Sequence, residues 1–304
     1  MSKVARPSPA SYTIDAKVTN VIEELTTLLR FSGITDPRRV ATDIIAALLE
    51  VPRSWPMMNR ESAVDSHILA AAREATRRLD AGAPFAYAVG SAQFRHLNLN
   101  LDARVLIPRP ETEVLVGEIL ERMDARFASS ESWGTAVDIG TGSGAIALCL
   151  ASEGKFDRVI ATDVSLDAID VATSNAIRCA AALRCDVELR RGSLLAPVRD
   201  VRATVLVSNP PYIAFSELDA LPRSVRDWEP PLALLSGHDG MAATAKIVSE
   251  ASRILVGGGI LALEVDERRS SLVAELMMRH GGYTDVGVRL DLAGRERFVL
   301  ASRT

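Results

Sequence analysis

Ala136-Val137-Asp138-Ile139-Gly140-Thr141-Gly142-Ser143-Gly144 is the stretch whose reading decides the fold. Thr135–Ile139 is a short, mostly apolar run that stops at glycine, the pattern of a buried strand. Ser143–Ala151 continues as an apolar segment of helical length. The intervening glycines allow a tight turn and let a ligand approach the backbone closely. Strand, glycine turn and helix together form the crossing at which open parallel sheets bind nucleotides.

Working outward, strands and helices alternate. Strands are predicted at Val159–Thr162, Val187–Arg190, Thr204–Ser208 and Ile260–Val265, with helices at Leu166–Leu183, Met241–Leu255 and Arg269–His280. Two closing strands lie near Thr284–Leu290 and Arg297–Ala301. This is an α/β pattern: a parallel sheet with helices on both faces and an antiparallel end. Ligands of such sheets sit at the carboxyl ends of the strands, where two features stand out. Asp163 closes the second strand, where its carboxylate can accept both hydroxyls of a ribose. Val205-Leu206-Val207-Ser208 runs into Asn209-Pro210-Pro211-Tyr212. Proline ends the strand and stiffens the turn, so the Asn209 amide, the Pro210 carbonyl and the Tyr212 ring are pre-organised. Asn-Pro is also an ordinary turn starter.

The nucleotide is not fixed by the loop alone, because Gly140-x-Gly142-x-x-Ala145 also fits a dinucleotide pattern. Two features favour S-adenosylmethionine over NAD(P). Asp138 precedes the loop, where a carboxylate could face a sulfonium or amino group, and a hydride-transfer enzyme has no evident use for Asn-Pro-Pro-Tyr.

These residues resemble the class I S-adenosylmethionine-dependent methyltransferases that act on planar amide or amine nitrogens. The segment Leu106-Ile107-Pro108-Arg109-Pro110-Glu111-Thr112-Glu113 narrows the likeness to the HemK-type protein-(glutamine-N5) methyltransferases of peptide chain release factors. Tyr87-x-Val89-Gly90 and Phe94 belong to the same likeness, as do Trp228-Glu229-Pro230, Gly237-His238-Asp239-Gly240 and Asp291–Arg297. The resemblance implies a Rossmann-like methyltransferase domain over 110–304, a hairpin linker over 83–109 and a helical substrate-recognition domain over 1–82. It implies cofactor contacts from Asp138, Gly140, Thr141, Gly142, Ser143, Gly144, Asp163, Ser193 and Asn209. The catalytic residues it implies are Asn209, Pro210 and Tyr212, and Pro211 and Arg109 join them in binding substrate. One departure is Gly192-Ser193-Leu194, where the family usually carries an acid for the adenine amino group. Methylation of a ribosomal-protein glutamine, or cofactor binding without turnover, would use the same motifs.

Residues Lys17–Phe31 carry apolar side chains at helical spacing, and Asp36-Pro37 reads as the cap of a second helix. A third helix is expected from about Glu61 to Leu79, its Arg73, Arg77 and Arg78 face solvated. Phe94–Leu101 alternates as a strand, with Val105–Ile107 as its expected hairpin partner. Pro110, Glu111 and Glu113 suit the opening turn of a helix. Arg109, between two prolines, could brace the wall of a site.

The 304 residues are 48% hydrophobic with a formal net charge of −4, which gives no basic footprint for direct nucleic-acid binding. Three cysteines without a CxxC pair and four scattered histidines predict a reducing compartment and no metal. No apolar run has the length of a membrane span. Met1–Pro9 reads as a short disordered tail. The expected protein is a cytoplasmic monomer.

Overall fold

The computed structural model describes residues 17–304; the tail expected at Met1–Pro9 lies outside them. The chain divides after Ser91 into a smaller helical unit and a larger α/β unit.

The smaller unit contains α1 (Val18–Phe31), α2 (Pro37–Leu48), α3 (Trp55–Met58), α4 (Ser66–Asp80) and α5 (Phe85–Val89). Val18, Leu25 and Leu29 of α1 pack with Ile44 and Ile45 of α2 and Ala72 and Ala75 of α4, all at or near zero exposure. Asp36 does not cap α2 with its side chain. It sits in the left-handed region, with φ 53°, and its carboxylate takes Arg39 instead. The third helix starts at Ser66, later than expected, because Asp65 accepts the His67 N–H and caps it. The arginine face of α4 is ion-paired rather than simply solvated: Arg73 grips Glu24 with two bonds of 2.6 and 3.0 Å, and Arg77 and Arg78 share Glu74.

The chain enters the larger unit along a hairpin of β1 (Ser91–Phe94) and β2 (Leu97–Asn100), whose first residue ends the smaller unit. The expected partner at Val105–Ile107 is not a strand; the chain turns instead at Arg95, whose φ is 51°. Arg95 holds that turn by a bidentate pair to Glu153 and a bond to the Glu113 carbonyl. Then follow α6 (Pro110–Arg126), β3 (Thr135–Ile139), α7 (Ala145–Glu153), β4 (Arg158–Asp163), α8 (Leu166–Arg178), β5 (Asp186–Arg191) and β6 (Ala203–Ser208). The rest comprises α9 (Arg223–Arg226), α10 (Pro231–Leu234), α11 (Ala242–Ala251), β7 (Leu255–Glu264), α12 (Ser270–His280), β8 (Tyr283–Leu290) and β9 (Glu296–Arg303).

The sheet order is β5-β4-β3-β6-β7-β9-β8, parallel except for β9. Side chains alternate between faces along each strand. Ala136, Val205 and Val207 join the core under α6 and α7, whereas Val137, Ile139 and Leu206 join the core under α11 and α12. Both faces are therefore buried, as a parallel sheet requires. Among the described residues no helix is long and apolar enough to cross a membrane.

Candidate active site

Register places the functional residues in one row. Ile139 of β3 pairs with Thr162 of β4 on one side and with Ser208 of β6 on the other. Asp163 pairs with Arg191, and Ser208 pairs with Leu263 of β7. The next residues along, Gly140, Asp163, Asn209 and Glu264, thus emerge side by side at the carboxyl ends of four strands, with Gly192 one step beyond Arg191 on the fifth. The chain leaves β3 toward β4 and β5 and returns on the other side as β6. The β3–β6 gap is therefore the switch point at which such sheets bind ligands.

A cavity of about 550 Å³ opens there, lined among others by Gly140, Gly142, Asp163, Ser193, Asn209 and Pro211. Its size is that of a small-molecule site, typically ~300–1,000 Å³. The glycine loop is pinned beneath it. Gly140 and Thr141 donate to the Thr162 carbonyl at 2.8 and 2.9 Å, and Gly142 donates to Asp163 Oδ2 at 3.0 Å. Gly142 has φ 55°, and the space a β-carbon would take is open, so the backbone itself faces the cavity.

Asp138 was expected to face the cofactor, but it does not line the cavity. It lies on the same strand face as Ala136, under α7, and is fully buried. Its Oδ2 accepts from the Thr141 hydroxyl at 2.6 Å and from the Ala147 N–H at 3.3 Å, while Oδ1 has no partner within the protein. Burial pushes this carboxyl up to about 7. Thr141 and Ser143 are also buried, and Thr141, Ser143 and Gly144 shape the loop without lining the cavity. Asn175, a residue that sequence reasoning missed, holds the loop from α8. Its Nδ2 donates to the Ser143 and Asn100 carbonyls, and its Oδ1 accepts the Asn100 N–H at 2.7 Å. A polar residue at zero exposure on an amphipathic helix is the signal that could have found it, but the signal needs burial to be known.

At the other end of the cavity Asn209 Nδ2 donates to Thr112 Oγ1 at 3.4 Å, and that hydroxyl donates to Glu264 Oε2 at 2.6 Å. Pro210 is buried, and neither it nor Tyr212 lines the cavity. Desolvation pushes the Tyr212 phenol up to about 12. The Tyr212 carbonyl fixes the following loop: a β-carbon on Gly240 would lie 2.3 Å from it, so only glycine fits at that φ of 75°. The 213–240 segment folds back on itself through Ile213 and Leu234, and Arg269 ties it down by bonds to the Asp239 carbonyl and Glu217. Arg109 does not line the cavity. It donates to both oxygens of Glu229, a side chain only 1% exposed, next to cavity-lining Pro230.

These residues fit an adenosyl sulfonium cofactor. Asp163 spends one lone pair of each oxygen on backbone N–H groups of Gly142 and Ser165, and a carboxylate has capacity left for ribose hydroxyls. Val164, Leu194 and Leu232 offer apolar surface for a flat base beside Ser193.

The sequence matches the family described as Methyltransferase small domain over residues 116–221, and the PrmC N-terminal domain over residues 20–90. A Moorella thermoacetica protein named release factor glutamine methyltransferase is 40% identical over 90% of this chain and 94% of its own length. A Rhodopirellula baltica protein of the same name is 36% identical over 93% of this chain and 95% of its own. The chain belongs to the release factor glutamine methyltransferase family. Among solved structures, the hMettl16 catalytic domain in complex with MAT2A 3′UTR hairpin 1 shares the fold of this family member, with a TM-score of 0.54 at 14% identity over 86% of this chain and 90% of that one.

Proposed function

We propose that this protein methylates the side-chain amide nitrogen (N5) of the glutamine in the Gly-Gly-Gln motif of peptide chain release factors, using S-adenosylmethionine. Bound S-adenosylmethionine supplies a methyl group on a sulfonium, a strong electrophile with a neutral thioether as its leaving group. The amide nitrogen is a poor nucleophile because its lone pair is shared with the carbonyl, so the protein's task is alignment.

The observation that carries the reading is that Asn209 and Pro211 line the same cavity as Gly140, Gly142 and Asp163. In this reading the Asn209 side-chain oxygen and the Pro210 carbonyl accept the two N–H bonds of the glutamine amide. They hold the nitrogen in line with the methyl group and stabilise the positive charge that grows on it. The Tyr212 ring would pack against the planar amide, and the nitrogen, cationic once methylated, would lose one proton to solvent water. Gly140, Gly142 and Asp163 hold the cofactor, and Ser193, which lines the same cavity, hydrogen-bonds its base. Arg109 acts through Glu229 as a brace for the wall. The helical unit takes the rest of the substrate protein, and the enzyme works in the cytoplasm as a monomer.

The Asn209→Ala variant tests this reading. Turnover should fall by at least ~100-fold, the size of a lost electrostatic contact to the transition state, while S-adenosylmethionine affinity measured by calorimetry holds. Near-wild-type turnover of the purified variant would overturn it.

A further inference from the structure

We propose that Thr112 and Glu264 are positioning residues that set which end of the Asn209 amide faces the substrate, so that turnover requires Glu264 to be ionised. The inference rests on the reading in which the Asn209 oxygen accepts from the glutamine amide.

The two ends of an asparagine amide are nearly the same shape, but only the oxygen can accept a hydrogen bond. Something must therefore hold the NH₂ end away from the substrate. Asn209 and Glu264 follow the paired residues Ser208 and Leu263, so they sit level on neighbouring strands. Thr112, in the first turn of α6, bridges them. Thr112 is 4% exposed and Glu264 1%, which keeps solvent from substituting for either partner.

A threonine hydroxyl has one proton. An ionised Glu264 has none to give, so the proton of Thr112 goes to the carboxylate. The threonine oxygen then has only lone pairs to offer, and only the NH₂ end of Asn209 can use them. The Asn209 oxygen is left to face the substrate. A Glu264 protonated on Oε2 reverses the direction of the chain. It donates to Thr112, the freed threonine proton turns to Asn209, and the amide oxygen is drawn inward. The NH₂ end then faces the substrate and cannot accept its N–H.

The surroundings hold Glu264 between its two states. Burial pushes its carboxyl up to about 7, and Glu111 of α6 adds to the rise. Opposing them are the Thr112 hydrogen bond, Arg297 on β9 and Arg109 ahead of α6. The Glu264 charge in turn adds to the rise of the Tyr212 phenol, which desolvation dominates.

The test measures kcat and KM for methylation of a release factor by labelled S-adenosylmethionine, from about pH 5.5 to pH 9. It compares the wild type with Thr112→Val, Thr112→Ser and Glu264→Gln, with cofactor affinity measured in parallel as the check on folding. Wild-type kcat should rise through about pH 7 as one proton leaves. Thr112→Val should lower kcat about tenfold at alkaline pH and flatten the profile, with KM and cofactor affinity held within about twofold. Thr112→Ser, which keeps the hydroxyl, should restore both rate and profile. Glu264→Gln cannot ionise and should give a flat profile. A wild type that methylates the glutamine with a flat profile over the same range refutes the relay alone. So does a Thr112→Val variant with wild-type rate and profile. A wild type that transfers no methyl to the glutamine refutes the functional reading, and the relay with it.

Discussion

Removing Arg109 separates a brace from a substrate contact. Its guanidinium bonds both oxygens of Glu229 at 2.7 and 2.9 Å, and Glu229 is 1% exposed against 30% for Arg109. Burial raises the Glu229 carboxyl, and Arg109 is the first influence that lowers it again. Arg109→Ala thus strands a buried carboxylate. Breaking a buried pair by removing one partner costs about 3–5 kcal/mol, and the partial exposure of Arg109 puts this case near the lower end. Glu229→Gln leaves the guanidinium with access to water and should cost about 1 kcal/mol. In the double variant no buried charge is stranded, so the two penalties should fall short of additivity by roughly 1.5–2 kcal/mol. Urea unfolding reads this out, followed by Trp133 and Trp228 fluorescence in a Trp55→Phe background so that only the larger unit reports. With a denaturant slope near ~3 kcal/mol/M, Arg109→Ala should lower the midpoint by about 1 M. The loss should shrink on acidification, because a protonated Glu229 needs no cation. A wild-type midpoint combined with reduced kcat/KM would refute the brace and make Arg109 a direct substrate contact. Strict additivity of the two single variants would also refute it.

Asn175→Leu should strand the Asn100 N–H and the Asn100 and Ser143 carbonyls, lowering stability by about 3 kcal/mol. It should also weaken S-adenosylmethionine binding in a calorimetric titration, because Ser143 belongs to the glycine loop. Asp138 and Glu264 are both pushed up to about 7, so each takes up a proton on folding. Their contribution to stability is full below about pH 4 and lost as the pH rises through 7, and Asp138→Asn should flatten that dependence in urea midpoints collected across the range.

The sheet could be read from the chain because its central strands β3, β4, β6 and β7 are largely apolar runs that end at glycine, at an acid or at Asn-Pro. Thr135–Ile139 matches β3 without change, and the row of Gly140, Asp163 and Asn209 follows once those strands are parallel and in register. Expectations failed where a local pattern competed with a tertiary partner. Asp36 had the identity of a cap, but Arg39 and a left-handed backbone took its carboxylate. Val105–Ile107 had the composition of a strand, but the nearer Ser91–Phe94 paired with Leu97–Asn100 across the Arg95 turn. Asp138 had the position of a ligand contact, and strand alternation puts it under α7, where it bonds Thr141 and the Ala147 N–H. Thr112, Asn175 and Glu264 carried no separate signal, since a polar residue in a helix turn or at a strand end reads as exposed until its neighbours are known.

Buried carboxyl groups share a physical character that bears on how the site works. Three carboxyl groups stand behind cavity-lining elements: Asp138 behind the glycine loop, Glu264 behind Asn209, and Glu229 beside Pro230. Burial raises all three. None lines the cavity. Each therefore fixes a neighbouring group at the cost of holding a charge in a poorly solvated place once it ionises. As the pH rises through neutrality, ionisation of Glu264 turns the Asn209 oxygen toward the substrate while the same ionisation makes the folded state less stable. Activity and stability should thus move in opposite directions over that interval. Thr112→Val should break the link, losing the pH dependence of kcat while retaining that of the urea midpoint, because Glu264 stays buried whether or not its proton reaches Asn209.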